Sequence, residues 1–506
     1  MEEAYNTQVL PNGVRIVTEH VPSVRSASLG IWVGTGSRSE KPGEGGAAHF
    51  IEHMVFKGTE RRTARQLAQE MDAIGGQVNA YTTKECTCFY ARSLDEHLSR
   101  AMDMLCDMVF CSRFDEQDVQ TERGVILEEI GMYQDNPEDL CSERLMGAVY
   151  KGTPLARPIL GKRASLEKMT GAWLREYMRA HYLPGDIVVS LAGSFPELVV
   201  EELKARFLAL EGGKSPAPRP AGYTPAFTLK KKSIEQNHLT LAFPGLPYGH
   251  KKRFVLQLLS SMLGGGMSSR LFQEVRERRG LCYSVYTYGA GHAETGVFAI
   301  YTALGKETEA QALETICRTI RDFAEHGPTA EELDRARELS KANVLMGLES
   351  TQSRMSALGR GTLLQDRPLT TDEVIEAYNA VTAEDVRALA RELFDFSRVS
   401  LSAVGRVGDE DYYRGLIEGG DKKGRTACIS GTPFSVGSDQ RRSSASATPA
   451  MGLGWYSSTL PSSQAAASAG SMGSLARTFR PSSAATRSAL LSPKRACSPP
   501  QSGHLK

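Results

Sequence analysis

The sequence predicts an α+β protein built from two similar halves of roughly 200 residues, each a mainly antiparallel sheet with helices packed on it. Three observations carry this. The 506 residues exceed what one hydrophobic core organises. A Gly/Pro-rich stretch, Glu211-Gly-Gly-Lys-Ser-Pro-Ala-Pro-Arg-Pro-Ala-Gly222, reads as an extended linker. The order of strand and helix patterns before that stretch recurs after it.

The elements follow in order. Val14-Arg-Ile16-Val-Thr alternates as a strand does, behind the turn Asn12-Gly13, and Ala27 to Val33 is a second strand. Gly43-Glu-Gly-Gly46 ends that strand and opens a helix near Ala47. A helix over Ala64–Ile74 stops at Gly75-Gly76. Val78–Leu94 reads as two strands joined near Lys84-Glu85. Helical periods then cover His97–Phe110, Asp115–Tyr133, Pro137–Tyr150 and Trp173–Ala180, before a buried strand at Asp186–Ala192. The second half repeats the theme. A strand at His238–Phe243 precedes helices at Arg253–Leu263 and Ser269–Arg278, and strands from Leu281 to Leu304 follow. Helices at Thr308–His326, Thr329–Leu348 and Thr371–Leu393 lead to a terminal strand, Val399–Val404. The expected units are 1–210, a linker at 211–226, 227–421, and a Ser/Ala/Arg-rich tail at 422–506 with no helical or strand period, read as disordered.

Composition excludes several classes. The formal net charge of +1 argues against a nucleic-acid partner. The nine cysteines show no regular spacing, which favours buried reduced thiols over a disulfide framework. No apolar run approaches the roughly 18 residues that span a bilayer. The N-terminus shows neither a secretory signal nor an Arg-rich transit peptide, so the expected location is a bacterial cytoplasm, with a mitochondrial matrix as the alternative.

The chemistry is carried by Ala48-His49-Phe-Ile-Glu52-His53-Met54. On a helix, His49 and His53 stand at i and i+4, so both imidazoles meet one cation on the same side. Glu52 lies at the edge of that face, able to reach a metal-bound water without being a ligand. A chance HxxEH on a surface helix is the alternative, so a third ligand is required. Thr121 to Ile130 offers Glu122 and Glu129, two turns apart on one face, with Glu128 rotated about 100° away. A ligand backed by a second carboxylate would use the Glu122/Glu129 face; a merely solvated acidic face is the competing reading.

These motifs resemble the pitrilysin/insulinase peptidases, including the processing peptidase β subunit and its bacterial relatives. The family's HFxEHMxFKGT stands here as His49 to Thr59, followed by Glu122…Glu129, and the likeness runs from Leu10-Pro-Asn-Gly13 to about Val404. The resemblance implies a zinc endopeptidase of clamshell form, with 1–210 as the catalytic, zinc-binding half and 227–421 closing over it. His49, His53 and Glu129 would bind Zn2+, Glu122 would support them, and Glu52 would be the general base on zinc-bound water. Gly75 to Tyr81 matches the strand that pairs with substrate backbone, through Asn79 and Ala80. Ser269 to Val285 matches the segment whose Arg and Tyr reach the active site, here Arg276 and Tyr283. Asp139 and Glu143 match acidic residues that recognise a basic residue near the cleaved bond. The implied partners are a peptide or unfolded substrate and, in a homodimer or heterodimer, a related subunit. A non-catalytic subunit or scaffold is the alternative function, although relatives of that kind typically lose metal or base residues that are all present here.

Overall fold

The computed structural model describes residues 5–427. The first half is a six-stranded sheet of β1 (Asn6–Val9), β2 (Arg15–His20), β3 (Ser26–Val33), β4 (Gln77–Thr82), β5 (Thr87–Leu94) and β6 (Ile187–Gly193), in the order β1-β2-β6-β3-β5-β4. Only β2 and β6 pair in parallel. Central β3 and β6 are buried along nearly their whole length, as expected of strands covered on both faces. Edge strand β4 alternates instead. Val78 and Ala80 join the main core, while Tyr81 joins a separate cluster on the other face.

The second half has five strands: β7 (Phe227–Lys231), β8 (Asn237–Gly245), β9 (Cys282–Gly291), β10 (Gly296–Leu304) and β11 (Ser400–Gly405). Their order, β7-β11-β8-β10-β9, is that of the first sheet without its outermost strand, and β7 and β11 are again the parallel pair. Each half encloses its own apolar core. The α+β, two-half reading of the sequence therefore holds.

Details differ for local reasons. The expected helix Thr371–Leu393 is two helices, Thr371–Ala380 and Ala383–Leu393, because Val381 is extended and Thr382 starts afresh with a capping box to Asp385. Part of the expected Ser269–Arg278 helix is a π-helix, Phe272–Glu277. β1, β7 and the helices Glu197–Leu208 and Thr351–Gln365 were not expected. The last helix, Glu410–Ala427, runs past the boundary expected at 421. The rest of the expected disordered tail, 428–506, lies outside the described residues. The seven described cysteines are all free thiols, and no described helix is long and apolar enough to cross a membrane.

The halves exchange helices. Pro137–Val149, from the first half, lies against β7, β8 and β11; Thr351–Gln365, from the second, lies against β2, β3 and β6. The second contact is close. A Cβ at Gly359 would collide with the Trp32 indole, and Ser28 Oγ lies 2.9 Å from Thr351 Oγ1. Separating the halves would expose Val17, Trp32, Val188, Met355 and Leu358, at about 1.5–3 kcal/mol for each large side chain. The two halves therefore hold together as one body around the cavity between them.

Candidate active site

The helix Ala47–Met54 starts at Gly46, whose φ of 95° needs a glycine and whose missing Cβ leaves room for the Leu160 carbonyl. No side chain at the cap itself serves the first amides. Buried Glu40 does so instead, its two carboxylate oxygens accepting from Gly46 N and Ala48 N at 3.1 Å each. Burial pushes the Glu40 carboxyl up to about 8. So anchored, the helix turns His49, Glu52 and His53 towards the helix Glu116–Asp135.

Glu129 Oε2 lies 3.6 Å from His49 Nε2 and 3.6 Å from His53 Nε2. One donor atom from each residue falls within 4.8 Å of the others, and these three form the one such grouping among the described residues. Ligands held at 2.0–2.1 Å from a tetrahedral ion stand about 3.3–3.4 Å apart, so Glu129 Oε2 stands within a few tenths of an ångström of that separation from each histidine. Two imidazoles and a carboxylate also leave one corner open. His53 Nδ1 is 2.9 Å from Glu122 Oε1, and Glu122 Oε2 is 2.5 Å from Lys57 Nζ. A histidine held by a carboxylate behind it is the usual outer arrangement of a metal site. His49 Nδ1, by contrast, is buried without a hydrogen-bond partner. The residues fit a metal ion.

The buried ionisable groups shift one another. Burial, and next the neighbouring His53, pull His49 down to about 3. Burial would lower His53 too, but its bonds to Glu122 and Glu129 outweigh that and raise it to about 9. Both carboxylates fall below their ordinary value despite burial, held down by His53. Burial raises Glu52 to about 7, against the charge of His53 and a 2.5 Å hydrogen bond from Thr82 Oγ1 to Oε2.

These groups line a cavity of about 980 Å³ with walls from both halves. His49, Glu52, His53, Glu122, Glu129, Asn79, Asp139 and Glu143 are brought together there. Asp139 is buried and accepts from Asn136 Nδ2 at 2.6 Å, while Glu143 is exposed. Ala80 sits behind the lining, 1% exposed, on free-edge β4. Its amide already donates to Asn79 Oδ1 at 2.8 Å, a contact that an added strand would displace. Arg276 and Tyr283 are not among the lining residues. Tyr283 is 73% exposed, and the Arg276 guanidinium lies 5.3 Å from its ring centroid. Sequence reasoning missed Thr82, Lys84, Tyr288, His292 and Arg360, which also line the cavity. The β4 alternation places Thr82 on the Glu52 face and was readable; nothing in the sequence brings Arg360 to the first half.

Two family models match the chain. The one described as insulinase, peptidase family M16, covers residues 15–163, and the one described as the peptidase M16 inactive domain covers 168–340. The chain is 44% identical over 400 residues to the uncharacterised zinc protease YmxG of Bacillus subtilis, spanning 78% of this chain and 98% of that one. It is 41% identical over 416 residues to an uncharacterised zinc protease of Streptomyces coelicolor, spanning 80% and 90%. Among solved structures, a peptidase M16 inactive domain from Pseudomonas fluorescens superposes with a TM-score of 0.75 at 22% identity, over 80% of this chain and 98% of that one. With the fold, the three donors and matches of this extent in agreement, the chain belongs to the insulinase family of peptidases, M16.

Proposed function

We propose that the chain is a zinc-dependent endopeptidase acting on short or unfolded peptide segments. The observation that carries the proposal is the placing of one carboxylate 3.6 Å from each of two imidazoles, beside a buried glutamate outside that donor group. His49, His53 and Glu129 would hold the ion, and the relatives' names support zinc as its identity. When bound, zinc would supply Lewis acidity, making water a usable nucleophile near neutral pH and polarising the scissile carbonyl.

The remaining work falls to the chain. Thr82 holds Glu52 Oε2, which leaves Oε1 to take the proton from the attacking water. The new C–O bond forms, the C–N bond breaks, and Glu52 returns the proton to the leaving amine. Glu122 keeps His53 in the orientation that presents Nε2. Substrate adds as a strand along free-edge β4 beside Asn79 and Ala80, so backbone bonds rather than side chains supply most of the affinity. Asp139 and the exposed Glu143 favour a basic residue near the cleaved bond.

Arg276 and Tyr283 complete the site from outside, Tyr283 as a donor to the developing oxyanion and Arg276 gripping a neighbouring carbonyl. Because exchanged helices tie the halves of one chain together and Tyr283 faces solvent, these two residues serve the site of a second copy or a related subunit.

The test is cleavage of a mixed peptide library by the zinc-loaded chain and by its Glu52→Gln variant, with zinc quantified in both. The reading expects cleavage by the first only, at equal zinc content. Equal cleavage by both, or none by the zinc-loaded chain either at concentrations at which it self-associates or together with a related subunit, would overturn it.

A further inference from the structure

The cavity carries four basic side chains: Lys57, Arg65, Lys84 and Arg360. Lys57 pairs with Glu122 and Lys84 gives its ammonium to the Arg157 carbonyl, while Arg65 is exposed to solvent. Arg360 is different. It is half-buried on the exchanged helix Thr351–Gln365, its guanidinium 4.6 Å from the Tyr248 ring centroid. Among the described residues no carboxylate pairs with it, and no hydrogen bond from it is recorded. A ring face leaves the edge of the guanidinium fork, with its five N–H donors, directed elsewhere.

Its position relative to β4 matters. Arg360 lines the cavity together with Tyr81 and Cys86, at the end of β4 and in the turn beyond it. Tyr81 belongs to the apolar cluster under the exchanged helix, with Met355 and Leu358. Thr82, the next residue, points through the other face to Glu52. The cavity therefore wraps around the edge of β4, with the metal donors on one face and Arg360 on the other. A peptide that extends the sheet shares its pleat, so its side chains alternate between those two faces. Residues of one parity meet the histidine helix; residues of the other parity meet the guanidinium.

We propose that Arg360 is a carboxylate-binding subsite, taking an acidic side chain or the terminal carboxylate of a peptide added along β4. The proposal rests on the strand-addition reading above and gives it a specificity rule: the favoured acidic residue lies on the face of the added strand opposite the histidine helix, and its immediate neighbours do not. Rigidity supports the assignment. Gly359 lies directly against the Trp32 indole, so the backbone that carries Arg360 is held in place before any ligand arrives. A fork of this kind matches a carboxylate in two parallel bonds.

The test measures binding, on the full chain with Glu52→Gln so that no peptide is cut. A ten-residue peptide of neutral sequence is made with Glu replacing Gln at each position in turn, with its C-terminus as free acid or amide. Expected is a Kd lower by about tenfold for Glu at one position, or at two positions two residues apart, and not at the positions next to them, the size of a charge-assisted pair. Adding Arg360→Gln should abolish that preference, while Arg360→Lys should retain part of it in a chain of unchanged thermal midpoint. A terminal-acid effect without a side-chain effect assigns the subsite to the peptide end; the reverse assigns it to acidic side chains. Equal Kd for Glu and Gln at every position, no peptide binding at all, or a preference untouched by Arg360→Gln would overturn the proposal. Failure of the hydrolysis reading would show differently, as wild-type chain that binds these peptides and leaves them whole.

Discussion

The two halves use one topology for opposite purposes. Between β3 and β4 the first half places the helix Ala47–Met54, with buried His49 and Glu52 and with His53 close by. Between β8 and β9 the second half places Arg253–Gly264, where the buried positions are Val255, Leu258, Leu259, Ser260, Met262, Leu263 and Gly264. The same slot holds a nearly apolar plug in one half and polar, charge-bearing groups in the other. The difference shows that the fold does not need the histidines. Their burial costs stability, since His49 Nδ1 is orphaned and burial lifts Glu52 well above its ordinary value.

That contrast can be broken from either side. The largest effect is expected from Glu52→Gln, with kcat falling by about 10²–10⁴ at unchanged zinc content, the usual worth of a general base. The apolar counterpart is Leu258→Ala, which should cost about 2–5 kcal/mol of stability by denaturant titration and leave zinc content alone. Next comes the ion itself. Zinc at a thousand times its Kd should stabilise the wild-type chain by about 4 kcal/mol against unfolding, and chelation should remove the gain. His49→Leu makes the first half resemble the second. It should abolish that zinc-dependent shift and stabilise the chelated protein by about 1–3 kcal/mol, because an unpartnered buried nitrogen is replaced by carbon. The smallest effect is Glu122→Gln, expected to weaken zinc binding by about 10–100-fold in competition with a chelator, since Glu122 acts through His53.

Much of this was legible in the sequence, for identifiable reasons. The i, i+4 spacing of His49 and His53 and the two-turn spacing of Glu122 and Glu129 survive folding because helical periodicity is local. Choosing between the two glutamates as donor was not a local matter. It depends on which turn of Glu116–Asp135 crosses the histidine helix, which resemblance supplied and spacing left open. The recurrence of elements was readable from the alternation of patterns. The helix exchange was not, because Thr351–Gln365 was overlooked. Its stretch Ala357-Leu-Gly-Arg-Gly-Thr carries two glycines that read as breakers, yet Gly359 and Gly361 are there for close approach to Trp32 and Pro368. With that helix unseen, Arg360 and the locking of the halves were unseen too.

The central claim is that two imidazoles and one carboxylate of the first half hold a single zinc. X-ray absorption at the zinc edge of the loaded protein tests it most directly. The account predicts one zinc per chain with only nitrogen and oxygen neighbours at about 2.0–2.1 Å, an imidazole signature, and loss of that ordered shell in His53→Ala. Sulfur neighbours at about 2.3 Å, or a shell unchanged by His53→Ala, would contradict it.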